Sequence, residues 1–301
     1  MTAKVMVFLA VIGLLAGCGP AATPSPTPTG PVKLSLAAAT PPVVGGEVGS
    51  ASTEFDDAAQ LALWSKLSDT EQDLDRLAKA DVNTTVKGSL YLEPKPSTWF
   101  DGFRGPFLYQ ELAGPIAMHM RVKVDGKKGG LPKRKFSLGG AMLRAPGSKD
   151  KPNWLSITVG TADASGQVEV KDTRDGSSKT DAFTVKDGWI DLVLARTDRL
   201  VAALYKEDGG AWKVGKRWAR AELPYVLQWG VTAYTDWDSF AALKKDAAKA
   251  NAQQIKGLAD LKLTVDFVRF LRPALPKYVD PLNSASVSDD VLIKLLTPAG
   301  A

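Results

Sequence analysis

Past residue 80 the chain is a series of short apolar runs of strand length, broken every ~8–12 residues by turn formers. Ile116 to Val124 alternates most clearly. Ile116, Met118, Met120, Val122 and Val124 fall on one face, and Ala117, His119, Arg121 and Lys123 on the other. Further strand-like runs are 86–92, 136–144, 154–160, 167–173, 182–185, 189–196, 200–205, 226–233 and 261–270. Asp125-Gly126, Asp175-Gly176, Asp187-Gly188 and Asp208-Gly209-Gly210 supply residues that tolerate the backbone angles of tight turns. This pattern predicts an all-β chain, an antiparallel sandwich or jelly roll.

Two segments depart from the β pattern. Residues 55–79 have helical character with an irregular apolar stripe. Ser239 to Lys256 is rich in Ala, Lys and Gln and sets Phe240, Leu243, Ala247 and Ile255 near one helical face. Asp238 or Ser239 suits its start and Gly257 its end, which predicts an amphipathic helix crossing the sandwich between the last two strands. Its stripe is expected to be core contact, with a partner-docking face as the alternative.

The N-terminus has a different texture. Lys4 precedes an apolar run from Val5 to Leu15, shorter than the ~20 residues a membrane span needs, and Leu15-Ala16-Gly17-Cys18 closes it. This is the plan of a signal peptide over residues 1–17, and a cysteine directly after the small residues resembles a bacterial lipobox. Lipidated Cys18 would then begin the mature protein and hold it on a membrane, since each buried methylene contributes about 0.8 kcal/mol. Residues 18–53, built from Pro, Ala, Thr, Gly and Ser, read as a disordered tether. Such a stretch buries too little apolar surface to offset its ordering entropy. The folded domain is expected over 54–301, with 238–257 as its helical insertion.

Composition narrows the chemistry. Cys18 is the only cysteine, so the domain has no internal disulfide, thiol nucleophile or thiolate metal site. A single histidine, His119, excludes sites built on two imidazoles. Loss of residues 1–17 removes only Lys4, leaving 37 of the 38 basic residues against 33 acidic ones. That mild, dispersed excess is not the basic stripe of a nucleic-acid binder.

Six patches in order resemble one bacterial family. They are WFDGFRGPFLYQELAG (99–114), AMLRAP with NWLSITVG (141–160), DGWIDLVLAR (187–196), ALYKEDGGAWK (203–213), ELPYVLQWGVTAYTDW (222–237) and VDFVRFLRP (265–273). The family comprises concanavalin A-like jelly rolls related to proteins labelled "regulation of enolase", and more distantly to laminin G-like and legume-lectin sandwiches. The resemblance implies the sandwich fold and a carbohydrate-lectin ancestry, with no established activity. Gly19 stands where diderm inner-membrane lipoproteins carry Asp, which by resemblance points to the outer membrane.

Fold does not fix function, so the site is sought in its chemistry. Sandwich glycosidases carry Glu-x-Asp-x-x-Glu on one strand. Here the nearest run is Gln167-Val168-Glu169-Val170-Lys171-Asp172, with lysine two places after Glu169. A serine triad would need His119, and no G-x-S-x-G elbow exists. Aromatic residues are the better lead, because pyranose rings stack on Trp while Asn, Asp and Arg hold hydroxyls. Trp189 and Trp229 alternate with apolar neighbours and are expected inside. Trp99, Trp154 and Trp237 lie at loops or strand starts and, with Arg121, Arg144 and Asn153, form the candidate ligand surface. Arg121, Arg144 and Trp154 are expected to line one concave face for an anionic or polar glycan. No cofactor is required. Calcium is conceivable at Asp101, Asp236 and Asp238, although no EF-hand-like run is present. The sequence thus describes a lipid-anchored envelope protein, foremost a non-catalytic glycan-binding module. A structural or protein-interaction lipoprotein is the alternative, with a glycoside-active enzyme behind both.

Overall fold

The computed structural model describes residues 46–298, except 72, 148–149, 241–242, 244–245 and 274–286. Cys18 and the signal segment lie outside the described residues. Among the described residues fourteen strands form two antiparallel sheets. They are β1 (Ser65–Lys66), β2 (Leu77–Val82), β3 (Leu90–Pro94), β4 (Phe107–Ala113), β5 (Ile116–Asp125), β6 (Ser137–Arg144) and β7 (Trp154–Thr161). There follow β8 (Ser165–Arg174), β9 (Ser177–Thr184), β10 (Ile190–Arg196), β11 (Leu200–Glu207), β12 (Lys213–Ala219), β13 (Val226–Tyr234) and β14 (Lys262–Leu271). The first sheet runs β1-β4-β13-β6-β7-β8-β9 and the second β12-β11-β10-β5-β14-β3-β2. The chain passes repeatedly between sheets, and late strands insert between early ones: β13 lies between β4 and β6, β14 between β3 and β5. This is an antiparallel jelly-roll sandwich, as the period-two pattern predicts.

Alternation places the core. Leu155, Ile157 and Val159 of β7, Val168 and Val170 of β8, and Leu227, Trp229 and Val231 of β13 point toward the second sheet. They meet Met118, Met120 and Val122 of β5, Leu192 and Leu194 of β10, and Leu263 and Val265 of β14. The other face of β5 is covered as well. Ala117 packs with Leu292, Leu295 and Leu296 of a C-terminal helix, Asp289–Leu296. Ser288 caps that helix by accepting from the Val291 amide, and the sequence reading did not anticipate it.

Both expected helices are corrected. Over 55–79 the chain makes a 3-10 turn at Ala58–Leu63, one α-turn at Leu67–Thr70, and then β2. Over 239–256 it makes a 3-10 turn at Trp237–Phe240 and a short helix, Ala247–Asn251, capped by Asp246 instead of Asp238 or Ser239. The apolar residues still pack together: buried Phe240 and half-buried Leu243, Ala247 and Ile255 close on Phe103. Docking to that loop, not helical period, fixes their positions. Folded structure also begins before residue 54. Val48, Ala51 and Thr53 are buried, and Thr53 bridges Val268.

Candidate functional site

The outer face of the first sheet carries the polar chemistry. Because β-strand side chains alternate, Ser156 and Thr158 of β7, Glu169 and Lys171 of β8 and Tyr234 of β13 share that face. The loop before β4, the turn at Leu67 and the 236–257 segment cover most of it. Trp99 lies edge-on to Trp154 (5.5 Å between centroids, 70°) and to Phe107 (6.4 Å, 80°), and its Nε1 donates to the Pro106 carbonyl. Both tryptophans are fully buried, so the rings expected to stack on a ligand are filled by the chain itself.

Arg144 is likewise buried. It donates two hydrogen bonds to Glu71 (2.6 and 2.8 Å) and one to Gln228 (2.7 Å). A forked pair of that geometry is a strong structural clamp, and it leaves no side chain reaching solvent. Arg121 is on the second sheet, over Trp189 (5.5 Å) and paired with Asp208 (3.1 Å). Arg121, Arg144 and Trp154 therefore do not line one face. Trp189 is half-buried beneath Arg121, not in the core, because it precedes the first residue of β10. Asn153 donates to Asp175 (3.0 Å) and accepts from Arg220 (3.1 Å), pinning the β8–β9 turn. His119 is also inside, 2.8 Å from Asp191 and edge-on to Trp212 and Phe267.

The acidic trio is engaged by protein donors. Asp236 is buried and accepts from Arg134 (Nε, 2.9 Å), Ser239 and the Leu258 amide (2.6 Å). Asp238 reaches the same guanidinium at 3.6 Å. Arg134 thus stands where a cation between these carboxylates would stand. Asp101, at φ +49°, accepts from the Ser178 amide (2.8 Å).

Of the sequence candidates, Trp237 borders an open cleft. It is a space of about 230 Å³ lined by Thr98, Phe100, Phe136, Asp163, Glu169, Lys171, Thr180 and Trp237. Trp237 is boxed by Phe100 (5.8 Å, 65°), Phe103 (5.8 Å, 83°) and Phe136 (6.2 Å, 73°), edge-to-face contacts that hold the indole in place. The floor is a buried ionic group. Lys171 Nζ donates to the Trp99 carbonyl (2.7 Å), lies 2.9 Å from Glu169 Oε1, and reaches the Tyr234 hydroxyl (3.3 Å). Tyr234 donates to the same Glu169 oxygen (3.1 Å). Burial pushes the Tyr234 phenol well up from its ordinary value, and the Glu169 charge adds to this, so it stays a donor. Both side-chain contacts of Glu169 among the described residues, with Lys171 and Tyr234, fall on Oε1, and Glu169 lines the cleft. The site therefore offers one carboxylate oxygen, two threonine hydroxyls, a rim carboxylate and three aromatic rings.

Glu169 and Lys171 were visible in the sequence only as a failed acidic triplet. Their two-residue spacing was the available signal, since it puts both on one strand face. Phe100 and Phe136 gave none, because long-range contacts place them.

No family model matches the chain, and no curated protein matches it. Solved structures share its architecture. The GH43 BlXynB protein from Bacillus licheniformis is 13% identical with a TM-score of 0.51, covering 76% of this chain and 40% of that one. A Bacteroides ovatus xyloglucan PUL GH43B protein matches to the same extent, 13% and 0.51 over 76% and 40%. Basic winged bean lectin with Tn-antigen is 10% identical with a TM-score of 0.42, covering 66% of this chain and 92% of that one. The chain spans about 40% of the two GH43 proteins, and at such identities the likeness is one of fold.

Proposed function

We propose that this protein is a lipid-anchored cell-envelope module, on the outer membrane of a diderm cell, that binds a small polar glycan in the Trp237 cleft without cleaving it. The observation that carries the reading is the juxtaposition of an aromatic rim with a buried, hydrogen-bonded carboxylate floor. An aromatic ring takes the apolar face of a pyranose while carboxylate and hydroxyl groups take its hydroxyls. The volume suits about one ring, below the ~300 Å³ at which larger ligand pockets begin. The non-catalytic part rests on Glu169. Hydrolysis by the two-carboxylate route needs a second acid held across the ligand, whereas Glu169 is paired with Lys171 at 2.9 Å and the other carboxylate of the lining, Asp163, stands exposed on the rim turn. The anchoring part rests on Leu15-Ala16-Gly17-Cys18.

The test is titration of the full chain in detergent with monosaccharides and short oligosaccharides, read by calorimetry. Saturable binding weakened about tenfold or more by Trp237→Ala, with circular dichroism unchanged, supports the cleft. Undiminished binding by that variant overturns it, and release of reducing sugar overturns the non-catalytic role.

A further inference from the structure

The charges lining the cleft point to a narrower ligand class than a polar glycan. Lys171 is the only basic residue on its wall among the described residues; its ammonium donates to the Trp99 carbonyl and the Tyr234 hydroxyl and pairs with Glu169 Oε1 at 2.9 Å. Three protein oxygens therefore already surround this cation, which is 2% exposed. Two carboxylates, Glu169 and Asp163, line the cleft with that one lysine, a formal net charge of minus one. Glu169 is 2% exposed, and its contacts with Lys171 and Tyr234 both fall on Oε1. Asp163 is exposed on the turn before β8. Around them stand the rings of Phe100, Phe136 and Trp237, whose faces attract cations.

We infer that the cleft selects a sugar carrying a free amine over its neutral, N-acetylated and acidic counterparts. This deepens the glycan-binding reading and rests on it. The ammonium group donates to Glu169 Oε2, where a charge-assisted hydrogen bond is roughly twice as strong as a neutral one. An N-acetyl group loses that charge, and a uronic acid sets a carboxylate against Glu169 and Asp163. The Arg121 and Arg144 surface expected from the sequence would have favoured an anion. With Arg144 sealed and Arg121 on the other sheet, the preference reverses.

The experiment titrates the full chain in detergent with glucosamine, N-acetylglucosamine, glucose and glucuronate, and with short oligomers of the first two. The expected result is binding of the amine about tenfold or more tighter than the neutral sugars, with glucuronate weakest. Glu169→Gln should abolish the preference while weak binding of neutral sugars remains. Should that variant fail to fold around Lys171, Glu169→Gln/Lys171→Met and the rim variant Asp163→Asn carry the test; the latter should reduce the preference several-fold in a folded protein. Equal binding of amine and neutral sugars that Trp237→Ala still weakens overturns the charge selection and leaves the glycan cleft standing. Preference for glucuronate also overturns it. No binding of any probe overturns both readings.

Discussion

Lys171 and Glu169, two residues apart on β8, hold an ion pair of 2.9 Å on the outer face of the first sheet, where each is 2% exposed. Each charge is almost wholly withdrawn from bulk water and is tolerable because of the other, and Tyr234 completes the group.

Removing one partner should therefore cost far more than removing both. Lys171→Met leaves a buried uncompensated carboxylate and is expected to lose about 3–5 kcal/mol. Adding Glu169→Gln should restore a substantial part of that loss. Urea unfolding of both single variants and the double variant gives the coupling directly; additive losses would contradict a coupled pair.

Arg144 and Trp154 should behave as structural residues. Arg144→Ala removes the forked, buried partner of Glu71 and is expected to cost about 3–5 kcal/mol. Trp154→Ala opens a cavity against Trp99 at a similar cost of about 3–5 kcal/mol. Trp154→Phe should lose less and bind ligand like the parent when affinity is measured on folded protein. A selective loss of affinity in Arg144→Ala with unchanged stability would return these residues to the binding surface.

Asp236 sets an acid limb to stability. Burial pushes its carboxyl up. Hydrogen bonds from Ser239, Arg134 and the Leu258 amide, with the Arg134 charge, outweigh burial and hold it below the ordinary value. A depressed carboxyl contributes stability above its unfolded pKa of about 3.9 and loses it as pH falls through the lower folded value. Denaturation of the parent and Asp236→Asn should differ most near neutrality and converge as pH drops below about 4. A constant gap across that range would exclude the titration.

Gly230 lies where β13 passes β4 closely. A Cβ there would stand 1.8 Å from the Leu108 carbonyl oxygen and 2.7 Å from the Tyr109 Cα, both backbone atoms that cannot swing aside. Gly230→Ala should cost about 3 kcal/mol or more and read out as lost soluble yield and lowered Tm. Parental Tm would mean that the strands can separate without loss.

Cys18→Ala tests the anchor. The expected outcome is loss of metabolic palmitate labelling and transfer of the protein from the membrane to the soluble fraction. Retention in the membrane with no label would point to a different attachment.

The strands and the two-sheet architecture were readable from Ile116–Val124 and the other runs, because period-two alternation with turn formers is a local property of the chain. The site was not readable in this way. Trp99, Trp154 and Arg144 have the residue types of a ligand surface, and whether they serve one depends on what covers them. Glu71 and residues of the 236–257 segment, far from Trp154 and Arg144 in sequence, close over that face together with Phe103 and border the open Trp237 cleft. Alternation determines which face of a strand a side chain occupies; burial of that face is decided by loops whose positions follow from long-range packing, which carries no period in the sequence.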